Sequence, residues 1–473
     1  MERMLTAETP KNIGKRVLAA GWVSVRRDHG KLIFIDLRDA GGVLQLVFRP
    51  DNEALYTEAE RLRPEWVIAV EGTLRERPKG MENADLPTGG IEMPVEKLEV
   101  LNEAETPPFP LDTPGLDIEE ELRLQYRYLD LRRPRLQKNM SLRHQAVQFI
   151  RQHLSERRFI EIETPVLTKT TPEGARDFLV PSRLQPGKFY ALPQSPQQYK
   201  QLLMVAGFER YFQIARCFRD EDPRADRAYG EFTQLDLEMS FVSQEDILRL
   251  AEELFTNLAA EIFREKRISQ TPWLRLSHQE AIQTYGTDKP DLRRDKNDPN
   301  ELAFAWVLDF PLFKEQEAGD FFHGSGTSAF APSHHMFTAP HPDDAALLDT
   351  DPTRVRGLQH DMVLNGFEVG GGSIRIHRAD VQEKIFGLIG FSQEQKRQFA
   401  HMLKAFSYGV PPHGGIAPGI DRFLMAALGE PSVREMIAFP ASSGGKTAVM
   451  DAPSDANPKQ LAELGLDVKT QKP

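Results

Sequence analysis

Three clusters in this sequence hold residue types that handle charged substrates. In the first, alternation along residues 211–219 places Gln213, Ala215, Cys217 and Arg219 on one face, and alternation along 234–240 groups Gln234, Asp236, Glu238 and Ser240. Two adjacent strands of this kind would offer an arginine, an aspartate and amides on one polar surface, although a solvated antiparallel face has the same pattern. The loop between them carries Arg219, Glu221, Arg224 and Arg227, enough positive charge to cradle a polyphosphate. The second cluster spans 361–377. There Asp361 and Glu368 could share a hard divalent cation, and three glycines at 370–372 let backbone approach a ligand closely. Glu368 and Arg375 have opposite parity, so they serve one site only if a bulge flips the register. The third cluster, 414–428, reads as strand, turn and helix. Gly419 permits tight approach at the helix start, and Arg422 opposes the helix dipole, which a bound anion would compensate; an ordinary surface arginine is the other reading.

Long stretches of chain must position these groups. The 473 residues allow about three domains, and 40% hydrophobic with 27% charged residues excludes wholesale disorder. The net charge of −11 excludes a histone-like polycation but not a local basic strip. One cysteine, Cys217, excludes a disulfide scaffold or a multi-cysteine zinc site, and it reads as a small buried residue. His334 and His335 lack further ligands at zinc spacing. No apolar run reaches membrane-spanning length and no secretory signal opens the chain, so a soluble cytoplasmic protein is expected. Five short strands are predicted at 21–26, 31–39, 43–49, 66–72 and 91–101, which suits a small barrel such as an OB-fold. Four prolines within 105–115 mark a linker. A helix is predicted over 139–158 with Leu142, Ala146, Ile150 and Leu154 as its apolar stripe. The expected division is a barrel at 1–104, a hinge at 105–138, one large α+β domain at 139–450 and a polar extension at 451–473.

In the barrel, period two sets Phe34, Asp36 and Arg38 opposite the core-facing Ile33, Ile35 and Leu37, and leaves Gln45 outward from Leu44, Leu46 and Phe48. Residues 11–49 hold eight Lys or Arg against three Asp or Glu. An exposed aromatic stacks a base and amides read its edge, so this face fits single-stranded RNA or an oligosaccharide, unless Phe34 simply packs beneath a loop.

Taken together, these segments resemble a known family. Phe218-Arg219-Asp220-Glu221 is similar to motif 2 of class II aminoacyl-tRNA synthetases, Gly419-Ile420-Asp421-Arg422 to motif 3, and the basic helix leading into Glu163-Thr164-Pro165 to motif 1. Segments 21–30, 171–183, 190–201 and 372–377 resemble the bacterial-type aspartyl-tRNA synthetases over nearly the whole chain. That resemblance implies an anticodon-reading OB-fold, a hinge, an antiparallel catalytic sheet, a homodimer, and activation of L-aspartate by ATP with Mg²⁺ before transfer to tRNA(Asp). It implies Arg219 and Arg422 as catalytic residues, and ATP contacts from Arg219, Glu221, Arg227, Phe232, Glu368, Gly419, Ile420, Asp421 and Arg422. It places aspartate among Glu173, Ser195, Gln197, Lys200, Arg219, Asp236, His334 and Arg375, and magnesium on Asp361 and Glu368. Arg27, Phe34, Gln45, Arg77 and Glu92 match anticodon contacts. A lysine and an arginine suit a side-chain carboxylate and would repel lysine or waste themselves on an amide.

Three departures stand out. The insertion usual between motifs 2 and 3 is absent, because 286–294 runs almost directly into 301–313. The motif 2 loop carries Ala228, Tyr229 and Gly230 where the family usually has Gln-Pro. His29 stands where tRNA(Asp)-specific members usually have leucine; with a second position near Met81, this resembles the subgroup that also charges tRNA(Asn), a strictly tRNA(Asp)-specific enzyme being the other reading. A tRNA-independent amino-acid ligase would tend to lack the barrel, and a non-catalytic relic would lack the motif arginines.

Overall fold

The computed structural model describes residues 2–170, 175–316 and 327–469. The chain forms two compact units, Met1–Ile118 and Glu119–Pro473.

The first unit is a barrel of β1 (Arg16–His29), β2 (Leu32–Asp39), β3 (Gly42–Phe48), β4 (Val67–Thr73), β5 (Arg75–Glu76) and β6 (Ile91–Asn102), with α1 (Glu53–Arg61) between β3 and β4. The strand order is β3-β2-β1-β4-β6-β5, and parallel pairing of β3 with β6 closes it. Alternation drives the closure: in β2, Ile33, Ile35 and Leu37 are buried while Phe34, Asp36 and Arg38 are half-buried on the outer face. All five expected strands form. The short β5 and the helix α1, which is capped by Asn52, were not anticipated. Residues 105–115 hold neither helix nor strand, as their prolines require.

The second unit begins with α2 (Glu120–Gln125), α3 (Arg127–Asp130) and α4 (Pro134–Glu156), followed by β7 (Ile160–Glu161), β8 (Leu179–Pro181), β9 (Phe189–Ala191) and α5 (Gln197–Val205). Next come β10 (Arg210–Arg219), β11 (Gly230–Ser240), α6 (Gln244–Ile262), β12 (Arg267–Ile268), β13 (Leu274–Ser277), α7 (His278–Tyr285), β14 (Glu301–Leu302) and β15 (Phe304–Leu308). After β16 (Phe313–Glu315), β17 (Phe330–Pro332) and α8 (Leu347–Thr350) come β18 (Gln359–Leu364), β19 (Phe367–Ile374), α9 (Ala379–Leu388), α10 (Gln393–Gln398) and α11 (Ala400–Phe406). The unit closes with β20 (His413–Pro418), α12 (Ile420–Leu428) and α13 (Pro458–Leu464).

Its centre is an eight-stranded sheet in the order β13-β15-β18-β19-β20-β11-β10-β7, antiparallel except for the β13–β15 and β7–β10 pairs at its edges. The apolar sides of α4, α6 and α12 pack with it through Ala146, Ile150, Leu154, Leu254, Phe255, Phe423 and Leu424. Among the described residues no helix is long and apolar enough to cross a membrane.

Residues 119–138 were counted with the hinge, yet they pack into this second unit. The cause is ionic. Arg123, Arg127 and Arg133 are buried around Asp130, and Arg123 also reaches Glu435 Oε1 at 3.1 Å. Buried guanidinium groups are tolerated only with such partners, so this stretch is fixed to the second unit.

Candidate active site

The β10–β11 pair builds the floor of the site. Its register sets Gln213 opposite Asp236, Ala215 opposite Gln234 and Arg219 opposite Gly230, which brings the two polar faces together as their parity predicts. The face is not solvated: Asp236 and Glu238 are fully buried. Above it opens a cavity of about 360 Å³, lined by Arg219, Phe232, Gln234, Asp236, Lys200 and Arg375 among others. The Arg219 guanidinium lies 5.0 Å from the centre of the Phe232 ring.

At the deep end two cations meet two carboxylates. From α5, Lys200 Nζ lies 2.7 Å from Asp236 Oδ2 and 3.7 Å from Glu238 Oε2. Arg375 donates Nε and Nη2 to Glu238, at 3.0 and 3.2 Å, and Nη1 to Ser373 Oγ and His335 Nε2. The side-on edge of Arg375 is therefore taken by Glu238 and its Nη1 by Ser373 and His335, leaving one Nη2 hydrogen for a ligand. Asp236 Oδ1 is buried with no hydrogen-bond partner, and the Tyr211 hydroxyl donates to Gln213 instead. Burial raises the pKa of the Asp236 carboxyl, only partly countered by Lys200. Burial alone would raise Glu238 as well, but Arg375 and then Lys200 hold it below its ordinary value. Enclosure by protein, then Arg375, pushes His334 down to about 3, so its ring is a neutral member of the cavity wall.

A bulge completes the site. Met362 pairs with Gly370 but Val363 pairs with Glu368, so Val369 is an extra residue in β19. It reverses parity, and Glu368 and Arg375 both line the cavity, as the sequence required for a shared site. A Cβ on Gly371 would sit 3.3 Å from Asp361 Oδ1 and 3.6 Å from Glu368 Oε1, which places both carboxylates over the same glycine. Burial and then Glu368 hold the Asp361 carboxyl well above its ordinary pKa. Two crowded carboxylates of this kind fit a hard cation that keeps most of its waters. Among the described residues no group of three or more His, Cys, Asp or Glu side chains is placed to hold a metal ion.

At the other end, Arg422 in the first turn of α12 donates to the Glu368 and Asp226 carbonyls, at 2.9 and 3.0 Å, and Arg227 pairs with Glu221. Asp421 also borders the cavity, but its carboxylate is occupied: Oδ2 accepts from Thr233 N at 2.8 Å and Oδ1 from Arg143 of α4. It ties α4, β11 and α12 into one frame. In the altered motif 2 loop, the Tyr229 hydroxyl bonds Asp220 at 3.2 Å and its ring meets Phe178 edge-on. Ser195 and Gln197 line the cavity, whereas Glu173 lies outside the described residues. Glu238, Ser373 and His335 belong to the site but were not expected there. Glu238 shares the parity of Asp236, and that was the one available signal.

On the barrel, strand register brings the expected residues into one strip. Arg27 pairs with Phe34, Asp36 with Gln45, and Gln45 with Glu92. Gln45 is on the outer face as expected but is buried rather than free, because it donates to Glu92 at 3.1 Å and Glu92 is held by Arg75 at 2.6 Å. Arg27 is bidentate to Asp36 at 2.8 Å, and Arg77 donates to the Ile91 carbonyl. His29 is exposed beside the two-residue hairpin turn at Gly30, and Met81 is exposed on a loop.

Residues 119–443 match the family described as class II tRNA synthetases (D, K and N), and residues 17–101 match the OB-fold nucleic acid binding domain. The chain belongs to the class II tRNA synthetases. This synthetase is 42% identical to the aspartate–tRNA(Asp/Asn) ligase of Rubrobacter xylanophilus, over 97% of its own length and 95% of that protein. It is equally similar to the protein of the same name from Syntrophomonas wolfei, over 97% of both chains. The Rubrobacter alignment runs over 581 positions against 473 residues here, and in the structure α7 reaches β14 through residues 286–300 alone, so no inserted domain lies there. The synthetase shares its fold with asparaginyl-tRNA synthetase of Pyrococcus horikoshii, solved with asparaginyl-adenylate (TM-score 0.73, 24% identity, 93% of this chain and 98% of that one). Aspartyl tRNA synthetase of Entamoeba histolytica has the same fold (TM-score 0.73, 21% identity, 93% and 91%).

Proposed function

We propose that this synthetase activates L-aspartate with ATP and transfers it to the 3′ end of tRNA(Asp) and tRNA(Asn). The observation that carries the reading is the buried Lys200–Asp236–Glu238–Arg375 cluster. The unpartnered Asp236 Oδ1 accepts the substrate ammonium, while Lys200 and the remaining Nη2 hydrogen of Arg375 receive the side-chain carboxylate. An asparagine amide would set its NH₂ against the same N–H donors and bring no charge to them in a dry site.

The α-carboxylate of aspartate then attacks the α-phosphorus of ATP, and the bond to pyrophosphate breaks. Arg219 neutralises charge where the carboxylate and α-phosphate meet, and Phe232 stacks on adenine beside Glu221. Arg227 and Arg422 hold the distal phosphates. Asp361 and Glu368 would hold Mg²⁺, which neutralises phosphate charge when bound. The protein mainly orients the reactants and offsets their charge. The terminal ribose hydroxyl of tRNA next attacks the aspartyl carbonyl and releases AMP.

Phe34 stacks on the central anticodon base, and the Gln45–Glu92 pair presents fixed donors and acceptors to its edge. Exposed Ile160, Val166 and Leu167 around β7 form the face assigned to a second copy of the chain in a homodimer. His29 at the hairpin tip is the residue assigned to accepting the tRNA(Asn) anticodon.

Amino-acid-dependent ATP–pyrophosphate exchange tests the first half of this reading: aspartate alone among the amino acids should respond, and silence with aspartate would refute it. Aminoacylation of tRNA(Asp) and tRNA(Asn) side by side tests the second half. The His29→Leu variant should retain tRNA(Asp) charging and lose tRNA(Asn).

A further inference from the structure

Behind the active pocket runs a row of polar groups that the cavity does not reach. Gln197, Lys200 and Gln201 share one face of α5. Gln197 and Lys200 line the cavity, whereas Gln201 and His413 of β20 lie behind it and are fully buried. Three hydrogen bonds join the row. His413 Nδ1 is 2.8 Å from the Pro411 carbonyl oxygen, and His413 Nε2 is 3.0 Å from Gln201 Nε2. Gln197 Nε2 donates to Gln201 Oε1 at 3.1 Å.

The direction of the row is set at its far end. A carbonyl oxygen only accepts, so His413 Nδ1 carries the ring proton. Burial lowers the pKa of His413 against the opposing pull of Glu238, so the ring is neutral. Its Nε2 is then bare and accepts. Gln201 must turn its NH₂ to His413 and its oxygen to Gln197. Gln197 in turn spends its NH₂ on Gln201, which leaves Oε1 as the end of the amide for the cavity. By shape alone an amide fits either way round. With its NH₂ inward it would repel an ammonium group, and with its oxygen inward it accepts from one.

On the reading of this cavity as an aspartate site, we propose that Gln201 and His413 are positioning residues that hold the Gln197 oxygen toward the substrate ammonium. They touch no substrate themselves. Asp236 Oδ1 and Gln197 Oε1 then offer two acceptors. An ammonium group has hydrogens for both, whereas a hydroxyl in its place has one hydrogen and satisfies only one of them. The buried row therefore selects an amino acid over the matching hydroxy acid.

The test compares aspartate with L-malate, which carries a hydroxyl in place of the ammonium. The full-length Gln201→Met variant keeps the bulk of the side chain and removes its polarity, so Gln197 is released to turn its NH₂ inward. In pyrophosphate exchange, KM for aspartate should rise about tenfold or more while kcat changes little. A hydroxyl donates to Asp236 and accepts from an inward NH₂, so the ratio of the malate inhibition constant to KM for aspartate should fall by about tenfold or more. A ratio that does not fall would show that Gln201 only fills space, and it overturns the proposal. Neutron diffraction from wild-type crystals reads the same row without a variant that has to fold. Deuterium on His413 Nδ1 and on the end of the Gln197 amide facing Gln201 is expected, and deuterium on His413 Nε2 overturns the proposal. Wild-type protein silent with aspartate would instead refute the aspartate reading, and the deuterium positions would still decide the direction of the row.

Discussion

The amino-acid pocket and the outer face of the barrel use the same residue types in opposite ways. In the pocket, Lys200 and Arg375 meet Asp236 and Glu238 with no more than 2% of any of these side chains exposed. On the barrel, Arg27 is half exposed over Asp36, and Arg75 is 40% exposed over Glu92. Charges held dry cannot be screened or replaced by water, so each one specifies the chemical group it faces. Charges held wet cost little to rearrange, which suits a surface that must release a large polyanion.

Breaking the dry cluster should give the largest effect. Arg375→Ala leaves Glu238 buried without its bidentate partner, and removal of one member of a buried pair costs about 3–5 kcal/mol. Pyrophosphate exchange with aspartate should fall by a factor on the order of 10² to 10³, with a lowered melting temperature. A variant retaining near-normal exchange would show that the pocket is as tolerant as the barrel face.

Asp236→Asn should be milder on the fold and specific to aspartate. Losing a charged hydrogen bond to the substrate ammonium costs about 1.5–3 kcal/mol, so KM for aspartate should rise by roughly 10- to 100-fold. The pH dependence sharpens the point. Asp236 has a raised pKa, so its ionised form is lost as pH falls through a value above that of an ordinary aspartate, and KM should climb there. In Asp236→Asn that climb should vanish. The linked stability terms run in opposite directions two residues apart. The raised Asp236 loses its contribution as pH rises through its folded value. The lowered Glu238 contributes above the ordinary glutamate range and loses its contribution as pH falls through its folded value.

Much of this pocket was legible because strand parity is local. Gln213, Arg219 and Asp236 fall on one surface by counting in twos, and the parity clash of Glu368 with Arg375 announced the bulge that Val369 supplies. What stayed hidden depends on partners far along the chain. Glu238 looked like one more polar residue until Arg375, 137 positions away, proved to be its partner. The helices over 119–138 looked like hinge until Glu435 was seen to fix Arg123 across 312 positions. Gln45 looked free because Glu92, which holds it, lies on a strand reached only when the barrel closes. Polarity along a strand shows which face a side chain takes; it does not show whether that face is wet.

On the wet side, Phe34→Ala tests base stacking without touching charge. Loss of one stacked base costs about 1–3 kcal/mol, so tRNA affinity should fall roughly 5- to 100-fold while pyrophosphate exchange stays unchanged. Loss of exchange in this variant would mean that the barrel supports the catalytic unit rather than reading RNA.

The smallest effect is expected at Arg27, and it bears most directly on the contrast. Arg27 and Asp36 form the best-aligned ion pair on the barrel strip, bidentate at 2.8 Å, so geometry alone would rank it with Arg375 and Glu238. Exposure says otherwise, because a half-exposed guanidinium is already solvated and its pair contributes at most about 1 kcal/mol. In Arg27→Ala the melting temperature of the protein should hardly move. Binding of tRNA should weaken modestly, and the slope of log affinity against log salt should become shallower by about one unit, the signature of one lost phosphate contact. A large drop in stability would place Arg27 with the dry cluster. An unchanged salt slope would mean that Arg27 serves Asp36 alone, and the strip would then read bases without gripping the backbone at that end.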